Sequence, residues 1–247
     1  MKDVPADYYA RLAEVDARHW WARGMIEIEA ALLAPWLSDG RLRLLDAGCG
    51  TGGFLAWADR SGRFAELSGV DLSPEALDVC RARVPSAELA TAPLSALPFA
   101  DGAFDVVVSN DVLQHVEEQE VTASLGELGR VLANGGALAV RTNGARRGRR
   151  ERADWRLYDE TALRAELERA GFRVRRTTYA NLLFSALAEV RGSGPQAPTS
   201  RSCGIPSRPG GVASALGGTA LGVEASVVRR GGRVPWGHTL LAVAIRE

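Results

Sequence analysis

Lysine is all but missing from this chain: Lys2 is the sole example in 247 residues, and arginine supplies every other permanently cationic side chain. Schiff-base chemistry on an interior lysine is thereby excluded. Cysteine is nearly as scarce. Cys49, Cys80 and Cys203 are odd in number and far apart, without the paired spacing of a zinc site or a secreted disulfide framework, so no metal centre is expected and a reducing cytoplasm is the expected location. No apolar run approaches the length of a membrane span: "LLAVAI" is among the longest, and "MKDVPADYYA" has no apolar signal core. The expectation is a soluble chain with no membrane partner. Charges balance to a net zero, which lacks the basic excess that displaces counterions from nucleic acid. A small-molecule partner suits that balance.

What is present is an alternation of strand and helix signals. Residues 1–38 read as a helical cap, with Ile26, Ala30 and Leu33 at helical spacing. "RLRLLDAG" predicts a buried strand running into a glycine turn, and "FLAWADR" the helix that leaves it. "ELSGVD" is a second strand, followed by a helix with Ser73 as N-cap and Pro74 in its first turn. Five further strands are "AELAT", "FDVVVSN", "GGALAVRTN", "FRVRRTTY" and "TLLAVAIRE", with helices predicted at "VTASLGELGRVLA", "DETALRAELERA" and "NLLFSALAEV". Strands separated by helices demand parallel crossovers, hence one doubly wound α/β domain. A cofactor-binding core is expected over 39–190. Gly, Pro and Ser crowd residues 191–218, which read as a flexible loop or lid, leaving a C-terminal helix and strand over 219–247.

"LLDAGCGTGG" carries the chemistry. Gly48, Gly50 and Gly53 fit the dinucleotide pattern G-x-G-x-x-G, in which a helix N-terminus faces a pyrophosphate. Asp46, at the strand end, would repel that anion and would suit an ammonium or a sulfonium. Asp71, in "GVDLS", can accept hydrogen bonds from the vicinal hydroxyls of a ribose. Taken with "LPFADGAFDVVVSNDVLQHV" and "GRVLANGGALAVRTN", in this order and spacing, the sequence resembles the class I S-adenosylmethionine-dependent methyltransferases. "HWWARG", "WRLYDETALRAELERAGF" and "VPWGHTLLAVAIRE" resemble a branch acting on small molecules, including sugar and natural-product scaffolds.

The resemblance implies a Rossmann-like, seven-stranded sheet whose one antiparallel strand, "TLLAVAI", is inserted by a terminal hairpin. It implies S-adenosylmethionine as cofactor, with Asp46, Gly48, Cys49, Gly50 and Asn110 around its methionine part, Asp71 on the ribose and Leu72 on the adenine face. Pro93 stands where the family often has an acidic residue on the adenine amine, leaving the backbone N–H of Leu94 to hold that edge. Trp21 could cover a sulfonium and Arg23 pair with the cofactor carboxylate. Tyr9, His19 and Trp20 are read either as packing of the cap or as site residues.

His115, in "DVLQHV", is the candidate general base for a hydroxyl acceptor, or else a packing or capping residue of the next helix. Arg156, Tyr158 and Asn181 match positions near the acceptor in that branch, with structural roles as the alternative. The basic run Arg146, Arg147, Arg149, Arg150 and Arg152 is a substrate-anion site or a solvated loop. Asp101 and Asp105 read as turn and strand-start residues. The function expected is methyl transfer to a hydroxyl or amine of a small molecule, by a monomer or homodimer. A nicotinamide oxidoreductase and a non-catalytic adenosyl-binding subunit are the alternatives.

Overall fold

The structure is a computed structural model that describes residues 8–37, 41–144, 156–190 and 211–247. Cys203, the arginine run from Arg146 to Arg152, and positions 191–210 of the expected lid lie outside the described residues. The strands are β1 (Leu42–Ala47), β2 (Phe64–Asp71), β3 (Glu88–Thr91), β4 (Phe104–Asn110), β5 (Leu132–Asn143), β6 (Phe172–Ala180) and β7 (Thr239–Arg246). They form one sheet in the order β3-β2-β1-β4-β5-β7-β6. β7 runs antiparallel to both β5 and β6, while the other pairs are parallel. This is the Rossmann-like seven-stranded α/β sheet with one reversed strand. The chain turns back at β1, between β2 and β4, and the ends of β1 and β4 open the crevice where such sheets take ligands.

The helices are α1 (Tyr8–Arg18), α2 (Trp20–Leu33), α3 (Gly53–Ser61), α4 (Pro74–Arg83), α5 (Glu118–Val131), α6 (Glu160–Arg169), α7 (Leu182–Val190) and α8 (Gly211–Arg229). Successive strand residues feed opposite layers, as a pleat requires. Leu44, Val106, Val108 and Val243 join Met25, Ile28, Leu55, Leu77 and Leu221 of α2, α3, α4 and α8 in one apolar cluster. Leu45, Val107, Leu138 and Ala242 join Leu125, Leu128, Leu163 and Leu167 of α5 and α6 in the other. Each fully buried Leu of this kind contributes about 1.5–3 kcal/mol.

The cap is two helices, not one. His19 adopts an extended backbone between them and its Nδ1 accepts a hydrogen bond from the Trp21 N–H at 3.2 Å, capping α2.

Two expectations about the C-terminal part are corrected. Helix α8 begins at Gly211, so residues 211–218 are helical and not loop. β6 and β7 are joined through α7 and α8, not by a hairpin. Within the helical part, Gly217 is a packing position: the Trp20 ring lies where its Cβ would be. Glu224 of α8 then accepts hydrogen bonds from the Asn181 and Leu182 N–H groups, both at 2.9 Å, and so satisfies two otherwise unpaired donors at the start of α7.

Candidate donor-binding site

The turn after β1 is built from its hydrogen bonds outward. The N–H groups of Gly48 and Cys49 both donate to the Val70 carbonyl, at 2.8 and 2.9 Å. Gly50 N–H donates to Asp71 Oδ2 at 2.9 Å, and Ser73 N–H to Asp71 Oδ1 at 2.9 Å. Asp71 therefore clamps the glycine turn and the entry to α4, and each oxygen retains a lone pair for a ligand hydroxyl. Gly48 (φ +89°) leaves room for Val112 of the turn after β4. The third essential glycine is Gly52, not Gly53: Gly52 sits at φ +75° as the N-cap of α3, and a Cβ there would lie 2.5 Å from Cys80 Sγ. Gly53 has no such constraint, so the literal dinucleotide spacing is coincidental.

Over this turn lies a cavity of about 280 Å³ lined by Leu12 and Asp16 of α1, Trp21 and Ile26 of α2, Asp46 and the turn residues Gly48 to Thr51, and Asn110, Asp111 and Arg141 at the ends of β4 and β5. Its floor is rich in hydrogen-bond acceptors that have no donor. Asp46 is 2% exposed, and its Oδ1, together with Asn110 Oδ1, lacks a partner among the described residues. Burial, reinforced by the nearby charge of Glu29, holds the Asp46 carboxyl well above the usual carboxylate range. Burial likewise raises Asp16, against the lowering pull of Arg83 and Arg141. Arg141 is anchored by Asp111, whose Oδ2 accepts from Nη2 at 2.8 Å and from Nε at 3.0 Å. Asp111 itself takes φ +59°, a left-handed conformation that this pairing helps to hold.

The acceptors suit a cationic ligand end. A primary ammonium offers three donors to Asp46 Oδ1, Asn110 Oδ1 and the turn, and no anion finds such a set favourable. S-Adenosylmethionine carries such an ammonium.

The expected site residues divide clearly. Trp21, Asp46, Gly48, Cys49, Gly50 and Asn110 meet in the cavity wall. The Arg141 guanidinium lies 5.8 Å from the Trp21 ring centre, so the ring's cation-binding capacity is already partly used. Asp71 adjoins the cavity through Gly50, and Leu72 beside it is 67% exposed, an apolar surface that an adenine could cover. Pro93 is exposed and Leu94 buried in the core, both beyond the cavity wall. Arg23 is exposed on α2 and does not line the cavity. Tyr9 shares the α1 stripe of Leu12 and Asp16 and meets Tyr8 edge-on at 5.1 Å.

Other candidates have structural positions. His19 caps α2 and stacks on Trp20 at 5.5 Å, and Trp20 packs on Phe184 at 4.7 Å. Tyr158 is 2% exposed within the core, and its hydroxyl accepts from Arg156 Nη1 at 3.0 Å. Asn181 is buried at φ +68°, its Nδ2 donating to Thr239 Oγ1 at 2.8 Å. It is a strand-to-helix joint, not a cavity residue. Asp105 and Asp101 pair with Arg43 and Arg130, at 2.9 and 2.8 Å, as turn and strand-start residues do. His115 lies in the short turn Leu113–His115, outside the cavity wall, and burial lowers its pKa against the raising effect of Asp111. Glu29, Arg141, Asp16 and Thr51 were not anticipated. Arg141 had one signal, a charge interrupting an apolar strand; Glu29 had another, an acid on the apolar stripe of α2.

A family profile described as a methyltransferase domain matches residues 45–140. A malonyl-acyl-carrier-protein O-methyltransferase of Enterobacter lignolyticus is 35% identical over 131 residues, 53% of this chain and 50% of that protein. A demethylmenaquinone methyltransferase of Thermus thermophilus is 33% identical over 138 residues, 54% of this chain and 59% of that protein. The chain thus spans about half the length of these curated relatives. Among solved structures, geranyl diphosphate C-methyltransferase from Streptomyces coelicolor superposes with a TM-score of 0.59 at 18% identity, covering 88% of this chain and 76% of that one. Residues 45–140 therefore match a methyltransferase-domain profile, and the whole described sheet has the fold of the solved geranyl diphosphate C-methyltransferase.

Proposed function

We propose that the chain transfers a methyl group from S-adenosylmethionine to a hydroxyl or amine of a small molecule, in natural-product or sugar-scaffold biosynthesis in the cytoplasm. The reading rests on one observation above the rest: unpartnered buried acceptors, Asp46 Oδ1 and Asn110 Oδ1, at a cavity floored by a glycine turn. They favour an ammonium-bearing donor over the pyrophosphate of a nicotinamide cofactor. Among the described residues no helix is long and apolar enough to cross a membrane, and no cluster of potential metal ligands occurs.

When bound, the donor supplies an electrophilic methyl on a sulfonium. The work left to the protein is alignment and exclusion of water. Asp46 and Asn110 would fix the amino-acid end, Asp71 the ribose and Leu72 the adenine, while Trp21 and α1 cover the crevice. His115, neutral at pH 7 because its pKa is lowered, would take the proton of a hydroxyl acceptor. An amine acceptor would need no such base.

Calorimetric titration with S-adenosylhomocysteine and with NAD tests the donor. Micromolar binding of the thioether and none of NAD is expected; the reverse would replace methyl transfer with hydride transfer. Radiolabelled methyl incorporation into a panel of small hydroxyl and amine compounds then reads the acceptor class.

A further inference from the structure

Glu29 belongs to the packed stripe of α2 with Met25, Ile28 and Leu32, yet it is a carboxyl, only 1% exposed. Neither of its oxygens has a hydrogen-bond donor among the described residues. Its nearest cation is Arg141, with Nη1 to Oε2 at 3.8 Å, beyond hydrogen-bond reach. That guanidinium is already engaged by Asp111 through two hydrogen bonds. Asn110 stands alongside and favours the ionised form, but closes no hydrogen bond of normal geometry. Asp46, its Oδ1 also orphaned, feels the charge of Glu29. Two buried carboxylates this poorly served cannot both be ionised, because Arg141 and Asn110 offset burial and mutual repulsion only in part.

We infer that Glu29 and Asp46 hold a shared proton at the amino-acid end of the donor pocket, and that a ligand's ammonium displaces it to solvent on binding. Glu29 is a positioning residue in this scheme. It acts through Asp46, keeping that carboxyl protonated until an ammonium arrives to take the proton's place. The O–H bond of the pair breaks, the proton passes to solvent or buffer base, and the ammonium brings the compensating charge. The inference rests on the donor reading above.

The groups that face the pair are few. Arg141 comes from β5, Asn110 and Asp111 from the end of β4, and Asp16 reaches the same cavity from α1. On α8, which packs against α2, Glu224 is turned to the N–H groups of Asn181 and Leu182. Glu27 of α2 pairs with Arg229 at 3.8 Å on the exposed side. Asp71 of β2 and Cys80 of α4 also act on Asp46, and Arg83 of α4 on Asp16. Near the cavity, Asp16, Glu29, Asp46, Asp71 and Asp111 thus stand against Arg141 and Arg83. After Asp111 neutralises Arg141, the remaining carboxyls have no cation in the cavity wall. Burial pushes Glu29 up to about 7, where a proton is exchanged under ordinary conditions.

The test is calorimetry at about pH 6.5 in buffers of different ionisation enthalpy, which counts protons released per ligand bound. Two probes separate the ends of the pocket: S-adenosylhomocysteine carries the ammonium, and 5′-methylthioadenosine carries the same nucleoside without it. Release of about one proton is expected with the first and close to none with the second. S-Adenosylhomocysteine affinity should rise roughly tenfold per pH unit across the titration of the pair. In Glu29→Gln that slope should flatten and the proton count should drop, because Asp46 then loses the like charge that reinforces burial in holding the proton. Equal release with both probes, no release with either, or an unchanged count in Glu29→Gln each overturns the inference. Since the probe contrast needs only the unsubstituted protein, the inference stays testable if the variant folds poorly. Absence of binding by both ligands would instead overturn the donor reading.

Discussion

At the scale of single residues, Asp71 and His115 carry separable predictions. Asp71 has two duties, clamping Gly50 and Ser73 and offering its spare lone pairs to a ribose. Asp71→Ala removes charge-assisted hydrogen bonds worth about 1.5–3 kcal/mol each, so S-adenosylhomocysteine should bind roughly 10- to 100-fold more weakly by calorimetry. Unchanged affinity would mean the ribose lies elsewhere. His115→Ala should cut turnover of a hydroxyl acceptor by about a hundredfold and leave thioether affinity within about twofold; unaltered turnover leaves His115 as a residue of the turn alone. The cavity residues legible in the sequence, Asp46, Gly48, Cys49, Gly50 and Asn110, sit in or directly after strands whose ends define the crevice. Glu29 and Arg141 were missed for a physical reason. Each is a charge on an apolar stripe of its own element, but only the packing of α2 over β5 brings the two charges to 3.8 Å and shows what they face.

At the scale of elements, the parallel core was readable because period-two strands and period-3.6 helices alternate with clear caps: Ser73 accepts from Ala76 N–H at 3.2 Å and Asp159 from Ala162 N–H at 2.8 Å. In the insertion between β6 and β7, α7 and the later part of α8 were readable too, but residues 211–218 were not, because they are small residues at the start of α8, where Gly217 lets the Trp20 ring approach closely, a tertiary property that mimics loop composition. Glu224 holds this insertion together. Burial raises its pKa while the Asn181 and Leu182 N–H groups lower it, so it is a cap supplied from a neighbouring helix. Glu224→Ala strands both donors and should cost about 2–4 kcal/mol of unfolding free energy in urea titrations. A loss below about 0.5 kcal/mol would show that α7 does not depend on this cap.

At the scale of the whole molecule, the buried acids make stability depend on pH with a defined sign. Glu29 is raised from 4.5 to about 7 and Asp46 is raised as well, so the folded state holds protons that the unfolded chain would release. Their stabilising contribution is complete below the ordinary carboxylate range and is lost as pH rises through the folded-state value. Carboxyls that pull the other way, Asp105, Glu127 and Glu160, are lowered mainly by hydrogen bonds to Arg43, Arg130 and Thr177, and lose their contribution only in more acid solution. Between about pH 5.5 and 7.5 the buried pair therefore dominates the carboxyl contribution and should lower the melting temperature of the ligand-free protein by on the order of 5 °C, given about 2–4 °C per kcal/mol for a chain of this size. Against it stand His19 and His115, whose pKa burial lowers and whose contribution to stability grows as pH rises over the same range. Glu29→Gln should flatten that decline. Saturating S-adenosylhomocysteine should raise the melting temperature at every pH, by about 2.7 kcal/mol equivalent at a hundredfold excess over Kd, and by more at the alkaline end, where no proton has to be displaced. Differential scanning fluorimetry across this range reads all three effects together. A pH dependence of the melting temperature that is the same in Glu29→Gln as in the unsubstituted protein would mean that the pair holds no proton in the fold.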